Sequence, residues 1–166
     1  MIFGFPLDVF TTIHVAISLI AIVSGLIVLV GMLASNRLTG WTGLFLFTTI
    51  LTSVTGFMFP IHGFTPGIGT GAVSLVVLAI ALLALYGMQL AGAWRWIYVA
   101  TAVSALYLNV LVLIVQSFQK LPMLRPLAPT QSEPPFLIAQ GAAFALFVVL
   151  GIVAAIRFRP GRATFV

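Results

Sequence analysis

Few residues in this chain can do chemistry. His14 and His62 are its only imidazoles, and Asp8 and Glu133 its only carboxylates. There is no cysteine, which excludes disulfides, thiolate nucleophiles, iron–sulfur clusters and thiolate zinc sites. Nothing pairs the two carboxylates for general acid–base work. No Gly-x-Ser-x-Gly elbow supplies an activated serine. Neither histidine has a carboxylate at ligand spacing, so no metal site is expected. Gly67-Ile68-Gly69-Thr70-Gly71 has the outline of a phosphate cradle. It lacks the lysine and the preceding strand, and it reads as a flexible loop leading into a helix. No catalytic residue is assigned, and the sequence favours a non-enzymatic protein.

The remaining candidates are polar side chains set in apolar surroundings: His14, Ser18, Thr55, Asn109, Gln116 and Gln140. Polar groups in a membrane interior are costly and tend to mark function. At 100° per residue, Thr101, Asn109 and Gln116 fall within about 80° of one another on one helix. His14, Ser18 and Gly25 share a face, as do Thr48, Thr52 and Thr55. Gathered inward, these groups would line a polar pocket that binds or passes a small molecule or ion. The competing reading is structural. Threonine and serine hydroxyls return bonds to their own helix one turn back, and small residues let helices approach. Asn109 needs partners from another helix. His14 and His62 are also the candidate axial ligands of a haem b, or the contacts of a quinone.

Elements that could hold these groups are plain in the pattern. Apolar runs at about 10–34, 41–59, 71–91, 95–118 and 136–156 each approach the ~20 residues that cross ~30 Å of hydrocarbon at 1.5 Å per residue. The first is too long for a signal-peptide core and reads as a span. In lipid each must be helical, because a helix satisfies its own backbone. All nine prolines lie outside these runs or at their edges, where they interrupt no helical hydrogen bonds. The short turn Ala91-Gly92-Ala93-Trp94 predicts an antiparallel pair of helices. Residues Lys120 to Pro135, with five prolines, form the longest loop. The fold class is therefore an all-α membrane protein, a single domain of five transmembrane helices.

Composition agrees. Charged residues make up 5% of the chain and hydrophobic ones 62%, against roughly 25% charged in a soluble domain, so lipid is the solvent that suits it. Seven basic residues spread over several loops form no nucleic-acid footprint. They report topology instead. Arg37, Arg95, Arg157, Arg159 and Arg162 follow the first, third and fifth runs, while Lys120 and Arg125 lie on the other side. That bias puts the C terminus in the cytoplasm and the N terminus outside. Trp41, Trp94, Trp96 and Tyr98 gather at the same boundary as an interfacial aromatic belt. Gly141/Ala145 and Gly151/Ala155 are small-xxx-small pairs, suited to close packing within one chain or between copies.

One stretch carries a resemblance. The runs Thr55-Gly56-Phe57-Met58-Phe59-Pro60, Ala105-Leu106-Tyr107-Leu108-Asn109-Val110, Val115-Gln116-Ser117-Phe118-Gln119-Lys120 and Leu127-Ala128-Pro129-Thr130-Gln131-Ser132-Glu133-Pro134-Pro135-Phe136 resemble a family of small, uncharacterised bacterial multi-span inner-membrane proteins. The resemblance covers most of the chain. It implies a multi-pass protein of the bacterial inner (cytoplasmic) membrane and no established activity. Three functions stay open at this point. The first is an outward-facing polar pocket for a small molecule or ion. The second is a haem b or quinone redox module on His14 and His62. The third is an accessory subunit that stabilises a larger membrane complex. The expected partners are the lipid bilayer and either further copies or a larger complex, with no nucleic acid.

Overall fold

The computed structural model describes Gly4, residues 6–60 and residues 66–161. It contains five long helices: α1 (Leu7–Leu33), α2 (Thr39–Gly56), α3 (Pro66–Leu82), α4 (Trp94–Lys120) and α5 (Pro134–Arg157). A π-helical turn, Leu83–Gly87, continues α3, and a short 3₁₀ turn, Arg125–Leu127, lies between α4 and α5. No strand occurs among the described residues.

Local chemistry sets the ends. Pro6 precedes α1, and Asp8 in its first turn complements the positive end of the helix dipole. Pro134 and Pro135 open α5, where a missing N–H costs nothing. At the far end of α1 the Asn36 amide donates to the Gly31 carbonyl at 2.8 Å, and the Ser35 amide to Met32 at 3.1 Å. Ser35 stands in the left-handed region, with φ 57. This is a Schellman stop with serine in the place glycine usually takes. A second bond accompanies the strained conformation: the Arg159 amide donates to the Ser35 hydroxyl oxygen at 2.9 Å.

Two expectations need correction. Gly67 to Gly71 do not form a flexible loop, because α3 begins at Pro66. Glycine there serves close packing: a Cβ on Gly71 would lie 3.2 Å from the Phe57 ring. Nor do five helices all meet the requirements of a lone membrane span. Four do: Leu7–Leu33, Gly67–Gly87, Trp94–Lys120 and Pro134–Arg157. The exception is α2, with 18 residues including six threonines. It is about 27 Å long at 1.5 Å per residue and is diluted by hydroxyls.

The chain folds back on itself throughout. α1 lies against α2, α3 against α4 and α4 against α5, while α4 also touches α1 and α2. One end gathers the last turns of α1, α3 and α5 with the first turns of α2 and α4. It holds Ser35, Arg95 and Phe158 and is called the arginine end below. The opposite end, with His14 and Lys120, is the histidine end. The core is biased toward the arginine end. Met32, Phe45, Leu85, Tyr98, Val99 and Phe158 are almost fully buried there. Gly25 marks the tightest crossing. A Cβ on it would lie 2.6 Å from Leu106 and 2.8 Å from the Phe45 ring, so α1, α2 and α4 meet where α1 has no side chain. α5 is peripheral, with only Phe147 and Ala154 buried along its length.

Candidate functional site

His14 lies in the second turn of α1, half-buried and turned toward α2. Its Nδ1 is 2.7 Å from the Thr55 hydroxyl oxygen. The Thr55 hydroxyl donates its own proton to the Leu51 carbonyl at 2.6 Å. One ring tautomer would accept from the Thr55 hydroxyl; with that proton given to Leu51, the ring donates from Nδ1 instead. In the neutral imidazole the lone pair is then on Nε2. Phe59 meets the ring edge-on at 5.1 Å between centroids, and Phe10 packs on Phe59 at the same spacing. Gly56 lies beside the ring, and a Cβ there would make ordinary contact with the His14 Cε1 at 3.8 Å.

Ser18 adds nothing to this group beyond its own helix, since its hydroxyl donates to the His14 carbonyl at 2.8 Å. Thr48 and Thr101 likewise donate to Leu44 and Ile97, both at 2.7 Å. The Thr52 hydroxyl oxygen is buried without a partner among the described residues. The Thr48–Thr52–Thr55 stripe thus splits by role, and only Thr55 reaches another helix.

Asn109 is buried on α4, and its Nδ2 donates to the Thr49 hydroxyl oxygen at 3.2 Å. Thr49 is six residues from Thr55, about 9 Å further along α2. Gln140 joins α5 to α4 by donating through Nε2 to the Leu111 carbonyl at 3.2 Å, while its Oε1 is buried without a partner among the described residues. Gln116 is exposed on the surface of α4. The sequence-derived candidates therefore lie along three seams between helices. His14, Ser18 and Thr55 sit between α1 and α2, Asn109 between α2 and α4, and Gln140 between α4 and α5. Two shallow grooves, of about 400 and 250 Å³, are lined by none of them. His62 lies outside the described residues, and so does any meeting of His14 with it. No cluster of three or more metal-ligating side chains occurs among the described residues.

The sequence reading missed two participants. Thr49 accepts from Asn109, and Ser53 donates to the Thr49 carbonyl at 3.0 Å while its oxygen lies 3.1 Å from the Ser74 hydroxyl oxygen, from which it can accept. A signal was available, because Thr49 and Ser53 are one turn apart on one face of α2. With them, α2 binds three neighbours through side chains: α1 by Thr55, α3 by Ser53 and α4 by Thr49. The one long helix that does not qualify as a lone span is the polar hub of the bundle.

The loop after α4 is tied back by Gln131, whose Nε2 donates to the Val115 carbonyl at 2.9 Å. Glu133 accepts from the Thr130 hydroxyl at 2.8 Å and from the Thr130 and Ser132 amides, both at 3.1 Å. Desolvation pushes its carboxyl up, but these donors and its own amide outweigh it and hold the group below its ordinary value. At the arginine end, Arg95 donates to the carbonyls of Ala155, at 3.0 Å, and Phe158, and its guanidinium lies 4.8 Å from the Trp96 ring centre. Gly151 packs within the chain, where a Cβ would meet Val103 at 3.3 Å, whereas Gly141 has open space around it. No family model, curated protein or solved structure matches the chain.

Proposed function

We propose that this chain is a non-enzymatic subunit of a larger membrane assembly in the bacterial inner membrane, with its N terminus outside and its C terminus in the cytoplasm. The observation that carries this reading is the use made of the polar side chains. Thr49, Ser53 and Thr55 of α2 are each engaged with a different helix. Fasteners of this kind fix one arrangement of helices. α2 crosses with the others in this reading. It starts at the turn after α1 and runs back to the level of His14, and most of its hydroxyls bond within the protein, so its threonines are tolerable in lipid. The orientation rests on the arginine bias, and the bacterial inner membrane on the resemblance of the Asn109 and Glu133 segments.

Two measurements test this. Single cysteines at Arg37 and Glu133 are labelled in intact cells with an impermeant reagent; labelling at position 133 alone is expected, and labelling at 37 alone reverses the topology. Mild-detergent extraction should give a particle larger than one chain, and a particle of single-chain mass would contradict the subunit role. A second reading rests on the Nδ1–H tautomer of His14, in which Nε2 has no bonded partner among the described residues and can meet haem iron or a quinone hydroxyl. Hydrogen bonding of Nδ1 to an acceptor is the usual outer support of an iron-bound histidine. A Soret band in the purified protein that disappears in His14→Ala would promote it over the subunit role.

A further inference from the structure

The last turns of α1 carry an open apolar groove of about 400 Å³ whose walls include Leu26, Val30, Ala34, Asn36 and Leu38. Val30 is 64% exposed within it, and Leu26 43%. The groove runs to the α1–α2 turn, where its polar residue, Asn36, is found. Arg37 lies between two lining residues, and its Nε is buried with no partner among the described residues. Arg159 belongs to the same corner, because its amide is bonded to Ser35.

Among the described residues, no carboxylate compensates the charge at this end. The chain has two acidic residues in all, Asp8 and Glu133. Both belong to the histidine end, in the first turn of α1 and just before α5. Arg95 is committed to carbonyl oxygens of the α5 terminus. Among the described residues, Arg37, Arg157 and Arg159 have no carboxylate near them to neutralise their charge. An apolar channel that ends at unneutralised guanidinium groups complements a molecule with an apolar tail and an anionic head.

The geometry points to a phospholipid site: one acyl chain of an anionic phospholipid lies along α1 from Leu26 to Ala34, and its phosphate is held at the α1–α2 turn by Arg37 and Arg159. This rests on the membrane reading above and adds to it a specific lipid at a specific place. A guanidinium can grip a phosphate through two parallel hydrogen bonds. Each basic residue close to an anionic lipid surface strengthens binding by about fivefold.

The test uses the full chain purified in mild detergent, titrated with phosphatidylglycerol or phosphatidylcholine and weighed intact by native mass spectrometry. The expected result is one phosphatidylglycerol retained per chain in preference to phosphatidylcholine. Arg37→Gln and Arg159→Gln should each weaken retention about fivefold, while Arg125→Gln, at the opposite end, keeps it. Ala34→Trp, which fills the groove, should remove retention of either lipid. Because Arg159 is exposed, Arg159→Gln keeps the test decisive even if a groove variant fails to fold. Equal retention of the two lipids, or unchanged retention in Arg159→Gln, overturns the proposal. So does a lipid-free dimer that Ala34→Trp dissociates, since a second copy would then occupy the groove. Recovery of the chain from the soluble fraction of the cell would instead defeat the membrane reading, before any lipid is added.

Discussion

The two ends of the bundle are built by different means. At the arginine end, helices are held by packed apolar side chains and by bonds to chain termini: Tyr98 and Phe158 lie 6.0 Å apart as buried rings, Arg95 caps α5, and Ser35 holds the Arg159 amide. Toward the histidine end, apart from Phe10, Phe118 and Ala128, few residues are buried. There helices meet through single polar pairs, His14 with Thr55 and Gln140 with Leu111, and through isolated ring pairs such as Phe118 with Phe136. Packing can tolerate no added volume, whereas a polar pair fixes orientation at small gain, because in a membrane the separated helices also find partners for their polar groups.

Changes of volume should separate the ends most sharply. Gly25→Leu forces a side chain against Leu106 and Phe45 and should cost about 3 kcal/mol, whereas Gly141→Ala meets open space and should hold stability or raise it by about 0.5 kcal/mol. Thermal unfolding of the detergent-solubilised protein measures both. Equal losses at the two positions would erase the distinction between the ends. Next in size is Arg95→Gln, which removes charged donors from the Ala155 and Phe158 carbonyls and should cost about 2 kcal/mol. Its signature is local, with faster amide exchange in the last turn of α5 and no change near Gln140.

The smallest effect concerns pH at the loop after α4. Glu133 has a folded pKa below its ordinary value of 4.5. Its contribution is therefore complete above that value and is lost as pH falls through the lowered folded one. Amide exchange at Thr130 and Ser132 should quicken over that acid window, and Glu133→Gln should flatten the dependence. An unchanged profile in the variant would mean that the carboxylate does not hold the turn.

Helix positions were legible because proline and polar residues punctuate the apolar runs. A helix, Thr39–Gly56, overlaps the second apolar run, but it is less apolar than a lone span, since its threonines are affordable only beside partners that periodicity does not reveal. The π turn at Leu83–Gly87 had no sequence signal, and the glycines after Pro66 read as loop because their packing against Phe57 is a tertiary fact. Asn109 and Gln116 share a face of α4, yet one is buried and the other exposed. Angular position on a helix says which residues look the same way; whether a neighbour stands there depends on depth, and at the histidine end the neighbours thin out. Thr49 escaped notice because a threonine in an apolar helix ordinarily bonds its own backbone.

The central claim is that polar side chains inside this bundle act as fasteners between helices. The pair of Asn109 with Thr49 tests it most directly, through a double-mutant cycle of Asn109→Leu, Thr49→Val and both together, followed by reversible unfolding in detergent. Fastening predicts that the two changes are coupled by about 1 kcal/mol, because the second removes nothing once the bond is gone. Strictly additive losses, with no coupling between the two positions, would contradict it.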